Sequence, residues 1–141
     1  MKPDCIFCRI INREAHGHIV YEDGSVIAIM DANPSKPGHT LVIPKAHVPD
    51  FYNLEEDVYS RLMLTVKHLS IAVKRVTSPK KVGLLIVGFG VPHTHVHIIP
   101  LDHTDDIATG TSFAPPPTHA PDHELADMAA HIAAAALHDT N

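Results

Sequence analysis

The sequence predicts an α+β fold, a five-stranded antiparallel sheet covered by one long helix, with a short helix at the N-terminus. Three observations carry this reading. Short β-branched runs flank turn signals in the first part of the chain, the apolar period then lengthens to that of a helix after Asn53, and two Val-, Ile- and Leu-rich runs precede Pro100. A period of two fills one face of a strand, whereas a period near 3.6 fills one stripe of a helix.

Taken in order, residues 5–11 form a short helical turn. The segment HIVYEDGSVIAIMD reads as two strands joined at Asp23-Gly24, with Ile19 and Val20 before the turn and Val26, Ile27 and Ile29 after it. ANPSKPG is a loop by its Pro, Gly and Asn content, and HTLVIP, residues 39–44, is a third strand of an antiparallel meander. From Asn53, residues Val58, Leu62, Val66, Leu69, Val73 and Val76 follow helical spacing; Asn53 and Glu56 are placed for reciprocal capping, and Pro79 closes the helix. GLLIVGF, residues 83–89, and HVHIIP, residues 95–100, are dense enough in apolar residues to be central strands. Residues 102–121, rich in Thr, Asp and Pro, read as a surface loop or lid, and residues 122–138 as a terminal helix capped by Asp122. The expected organisation is one domain over residues 1–141 with its core in residues 4–101.

A chain of 141 residues buries roughly two thirds of its unfolded surface. Its apolar fraction of 45% and charged fraction of 19% suit a globular protein, and no apolar run approaches the ~18 residues of a membrane span. Asp4 and two cysteines interrupt the place where a signal peptide carries its apolar stretch, so a cytoplasmic location is expected. A net charge of −5 argues against affinity won by gripping a nucleic-acid backbone. The two cysteines, Cys5 and Cys8, close too short a loop to be a useful staple in a reducing compartment, which leaves metal or redox chemistry. A thioredoxin-like use would need a preceding strand, and only four residues precede Cys5, so zinc is the preferred reading. Closed zinc sites take four ligands, and two histidines would complete this one.

Histidine is the compositional outlier, with 13 residues. In VPHTHVHIIP, residues 91–100, His93, His95 and His97 stand at alternate positions and share one face of a strand. On a strand the outer Cα atoms lie about 13 Å apart, too far for all three rings to reach one ion without strong bending. A nucleophilic imidazole with orienting neighbours fits better, because a group with an ordinary pKa near 6.5 is readily held neutral and reactive. A metallohydrolase using the row as ligands is the rival chemistry. His16, His18, His68, His103, His119, His123, His131 and His138 read as solvent-facing.

HTHVHIIP, together with CIFCRIINRE and VYEDGSVIAIMDANPSKPGHTLVIPKAHV, resembles the histidine triad (HIT) nucleotide-binding proteins, whose signature is His-φ-His-φ-His-φ-φ with φ apolar. The resemblance runs from Cys5 to about Pro100 through three motifs in the family's order. It implies a homodimer that binds a purine nucleotide and cleaves at its α-phosphate, as a nucleoside phosphoramidase or dinucleoside polyphosphate hydrolase. By this resemblance His95 attacks phosphorus to give a nucleotidyl-histidine, His97 contacts the phosphate or assists proton transfer, and His39 orients the nucleophile. It likewise implies that Asp31 meets the ribose hydroxyls, that Phe7, Ile29, Met30 and Leu41 line the base pocket, and that His47 and His93 join Cys5 and Cys8 around zinc. Relatives carry an Asn and a longer polar, glycine-bearing stretch where this chain has IVGFGVPH. Backbone N–H groups around Gly88, Gly90 and Val91 are expected to supply the missing phosphate contacts. The alternative function is a nucleotide-binding or partner-binding protein with little catalysis.

Overall fold

The computed structural model describes residues 2–107 and 119–139. In chain order the elements are α1 (Ile6–Ile11), β1 (Ile19–Glu22), β2 (Val26–Met30), β3 (Thr40–Pro44), a 3-10 turn (Phe51–Asn53), α2 (Glu56–Thr77), β4 (Lys81–Leu85), β5 (Val96–Leu101), a second 3-10 turn (Thr104–Asp106) and α3 (Asp122–Asp139). The strands form one five-stranded sheet in the order β1-β2-β3-β5-β4, antiparallel throughout. This is the α+β architecture expected from the sequence.

Alternation along β2 and β3 divides the core between the two sheet faces. Val26, Ala28, Met30 and Val42 pack with Leu62, Val66, Leu69 and Val73 of α2 and with Leu125 and Ile132 of α3. On the opposite face Ile27, Ile29, Leu41 and Ile43 pack with Phe7, Cys8 and Ile10 of α1. The short N-terminal helix therefore roofs the face on which the histidine row opens. Among the described residues no helix is long and apolar enough to cross a membrane.

Four local expectations are corrected. The strand expected over residues 83–89 occupies Lys81–Leu85 and lies at the sheet edge, not in its centre. Its register explains the early end: Leu85 pairs with His97 and β5 starts at Val96, so Val87 to Phe89 have no β5 residue to pair with. The Asn53–Glu56 cap does not form, because Asn53 belongs to a separate turn in which its amide donates to the Asp50 carbonyl. Helix α2 starts at Glu56 without a side-chain cap and ends where Ser78 turns left-handed (φ 51°) ahead of Pro79. Helix α3 has Asp122 as its first helical residue, and the Pro121 carbonyl accepts from the Leu125 amide.

The fourth correction concerns the histidine row itself. Only His97 lies in β5; His93 and His95 precede it. The β3–β5 ladder stops at Val42–Val96, and other bonds take over from there. The His93 ring bonds the Pro44 carbonyl, and both the amide and hydroxyl of Thr94 donate to the Val48 carbonyl. Residues 108–118, the centre of the expected lid, lie outside the described residues.

Candidate active site

Fixed hydrogen-bond partners decide which nitrogen of each buried histidine carries hydrogen. The Ser35 amide donates to His39 Nδ1 at 3.1 Å. Since a backbone N–H only donates, His39 Nδ1 accepts, and neutral His39 carries its hydrogen on Nε2. That Nε2 lies 2.9 Å from His97 Nδ1, which must accept in turn, leaving the hydrogen of His97 on its own Nε2. His95 Nδ1 lies 2.7 Å from the His93 carbonyl oxygen. A carbonyl only accepts, so His95 Nδ1 carries hydrogen and its Nε2 keeps a lone pair. That lone pair has no hydrogen-bond partner among the described residues. The acceptor that fixes the tautomer of His95 is thus the backbone of His93, not His39, which the resemblance implies as the orienting group. His39 orients His97 instead.

Burial keeps these rings neutral. Burial lowers the His95 pKa below the ordinary histidine value, against smaller opposing effects from the His93 carbonyl and Asp31. The same cause, with neighbouring imidazoles adding to it, pushes His39 down to about 4 and His97 down to about 3. Asp31 Oδ2 is 3.4 Å from His39 Nε2, a polar contact and not an ion pair because that ring is uncharged. Burial raises the Asp31 carboxyl pKa, while the Asn33 amide opposes the shift.

These groups open on a cavity of about 450 Å³. Phe7, Ile29, Met30, Asp31 and Leu41 line it with His95 and His97. Phe7 packs edge-on against His95, its ring centroid 4.9 Å away. The glycines are not brought in: Gly90 lines a separate hollow near Cys5 and His47, and only Val91 of that segment reaches the cavity. The space above Gly88 faces the Pro49 carbonyl. Five polar residues not assigned to the site from sequence do line it, namely His16, His18, Asn33, His119 and Asp122. The H-G-H spacing just before β1 was their one visible signal. A terminal helix reaching this cavity leaves no mark in local sequence.

A second cluster lies beside the first and shares His93. Cys5, Cys8, His47 and His93 place four potential ligand atoms within 4.8 Å of one another. His93 Nδ1 is 3.5 Å from Cys5 Sγ, 3.6 Å from Cys8 Sγ and 3.1 Å from His47 Nδ1, and Cys8 Sγ is 3.2 Å from His47 Nδ1. A tetrahedron with Zn–N ~2.1 Å and Zn–S ~2.3 Å has edges of roughly 3.4 to 3.8 Å, so these four separations match zinc after shifts of a few tenths of an ångström. The tautomer also suits it: His93 Nε2 donates to the Pro44 carbonyl at 2.8 Å, which leaves Nδ1 as a lone pair.

Asp31, His39 and His97 also lie within ligand distance of one another. Hydrogen bonding disfavours a metal there, since the Ser35 amide on Nδ1 forces a hydrogen onto the His39 nitrogen that would have to coordinate. The three triad histidines thus do not converge on one ion. His93 joins the cysteines, His97 joins Asp31 and His39, and His95 belongs to neither group.

Comparison with known proteins places this geometry in context. The family model of the HIT domain matches residues 12–104. An uncharacterized HIT-like protein of Borreliella burgdorferi is 43% identical over 104 residues, covering 69% of this chain and 75% of its own. The adenylylsulfatase HINT3 of Arabidopsis thaliana is 34% identical over 110 residues, 74% of this chain and 56% of its own. The crystal structure of a hypothetical histidine triad nucleotide-binding protein from Sulfolobus tokodaii superimposes with a TM-score of 0.82 at 34% identity, covering 95% of this chain and 93% of that one.

Proposed function

The chain belongs to the histidine triad family, its HIT domain spanning residues 12–104, and from that premise we propose that it is a purine nucleotide hydrolase of the phosphoramidase or dinucleoside polyphosphate type, cleaving at the α-phosphate through a nucleotidyl-histidine on His95. The observation that supports this most is the His95 Nδ1–His93 carbonyl bond of 2.7 Å, which leaves a neutral imidazole with its lone pair on Nε2.

In this reading His95 Nε2 attacks phosphorus, and the P–N or P–O bond to the leaving group breaks. The leaving group departs with the electron pair and takes a proton from solvent. The His95 ring becomes cationic, and the His93 carbonyl stabilises that charge through the Nδ1 hydrogen. Water then attacks phosphorus and loses a proton to solvent; the P–Nε2 bond breaks, releasing the nucleoside monophosphate and neutral His95. His97, held neutral, donates from Nε2 to a phosphoryl oxygen and does not serve as an acid. His39 is a positioning residue that fixes the His97 tautomer. Asp31 meets the ribose hydroxyls, and Phe7, Ile29 and Leu41 enclose the base.

Zinc held by Cys5, Cys8, His47 and His93 supplies a cross-link among the N-terminal turn, the loop after β3 and the residue whose carbonyl orients the nucleophile. No step passes through it. We read the protein as a cytoplasmic homodimer pairing along the β4 edge, where Leu84, Val87 and Phe89 are exposed.

Hydrolysis of adenosine 5′-phosphoramidate tests the reading. Replacing His95 with Ala should lower turnover on the order of a thousandfold, about 4 kcal/mol of barrier, and near-normal turnover would refute it. A second reading, nucleotide binding with little catalysis, draws on the position of Gly90 away from the cavity. Binding of AMP or GMP without turnover of any substrate would favour it.

A further inference from the structure

The cavity crosses the sheet, and strand register gives it a direction. His97 pairs with Leu41, Leu41 with Ile29, and Ile29 with Ile19. Three strand spacings of ~4.8 Å separate the His97 row from β1, roughly 14 Å. If phosphorus lies at His95, a nucleotide along this line passes over Leu41 and Ile29 and brings the outer edge of its base to the residues beside β1.

Those residues are polar. His18 precedes β1, its side chain 14% exposed, and its Nε2 lies 3.5 Å from Asp122 Oδ1 at the start of α3. A carboxylate only accepts, so His18 Nε2 carries the hydrogen. The His16 ring braces His18 edge-on with centroids 4.6 Å apart, and the His18 carbonyl accepts from the Met30 amide. Ala120 N donates to Ala32 O at 3.0 Å, tying the start of α3 to the loop after β2. Helix α3 also adds Leu125 to the cavity wall, and it lies outside the stretch matched by the HIT domain model. An N–H donor and a carboxylate acceptor therefore stand side by side at the far end of an otherwise mainly apolar slot.

The geometry points to selection of 6-oxopurine nucleotides, guanine above all, by the His18–Asp122 pair. The inference rests on the proposed placement of the phosphate at His95. Guanine presents O6 as an acceptor beside two donors, N1–H and the 2-amino group; the carboxylate accepts from those two donors, and the His18 Nε2–H turns from its long 3.5 Å contact with Asp122 to O6. Adenine presents an amino group where His18 would donate and a lone pair at N1 that faces the carboxylate. Buried polar readout can discriminate by 10⁴ or more, but the Asp122 side chain is 78% exposed, so a preference of about tenfold is expected.

Titration of the wild-type protein with GMP, IMP and AMP tests the inference, repeated with Asp122→Asn and His18→Leu. GMP should bind about tenfold more tightly than AMP, with IMP between them. Asp122→Asn should bring GMP and IMP together, and His18→Leu should narrow the GMP-to-AMP ratio. Equal wild-type affinities, a ratio unchanged in both variants, or no binding of any of the three would overturn the proposal. A clear GMP preference without hydrolysis of guanosine 5′-phosphoramidate would instead overturn the catalytic reading and leave the selectivity standing.

Discussion

Replacing His39 with Leu separates the two functions that one buried ring performs. The ring is 1% exposed and bridges the Ser35 amide, at 3.1 Å, to His97 Nδ1, at 2.9 Å. Leucine fills a similar volume but leaves both partners unsatisfied. Each orphaned buried polar group costs ~1 to 3 kcal/mol, partly offset by no longer burying an imidazole, so a net loss of about 2 kcal/mol follows. For a chain of this size that is a fall in Tm of roughly 5 to 10 °C. Turnover should fall further than stability requires. Without the His39 hydrogen on its Nδ1, His97 can move its own hydrogen there and present a lone pair to the phosphoryl oxygens. Losing a hydrogen bond to a charged group, ~1.5 to 3 kcal/mol, corresponds to about 10- to 100-fold in kcat. Steady-state kinetics well below the variant's Tm measure this. His39→Gln, whose amide both accepts and donates, should recover much of the rate. A Leu variant within twofold of wild type would refute the tautomer chain.

Acid should destabilise the fold through the same rings. His39 and His97 take up protons at about 4 and about 3 in the folded state but near 6.5 when unfolded, so between those values the unfolded chain binds more protons. Stability should therefore fall as pH drops from about 7 toward 4, by up to ~1.4 kcal/mol per pH unit for each ring, and a Tm indifferent to pH across that window would contradict it. Zinc should be present at one ion per chain in protein prepared without chelator. Its removal, or Cys8→Ala, should lower Tm, with metal analysis and calorimetry as the readouts; metal-free protein of unchanged Tm would count against the site.

Much of the fold was legible because both faces of the sheet are buried. Ile27 and Ile29 face α1 while Val26 and Ala28 face α2, so β2 reads as a continuous apolar run, and the α2 stripe of Leu62, Val66, Leu69 and Val73 is regular. What failed depends on partners distant in sequence. The early end of β4 follows from where β5 begins, at Val96, before which the Pro44 and Val48 carbonyls accept from the His93 ring and from Thr94. Local periodicity carries no record of such bonds. The site shows the same division. Residues of the strand and loop motifs, Asp31, Leu41, His95 and His97, gather at one cavity with Phe7, whereas His18 and Asp122 meet there across 104 positions of sequence. Glycine near the triad suggested close backbone approach to an anion, yet Gly90 lies beside the cysteine cluster.

The direct test of the account is to quench the protein during turnover of a labelled nucleoside phosphoramidate and map the modified residue by mass spectrometry. The account predicts a nucleotidyl group on His95, acid-labile as a phosphorus–nitrogen bond should be, and its absence from His95→Ala. Turnover with no covalent adduct under rapid quench, or an adduct on His97 or His39, would contradict it.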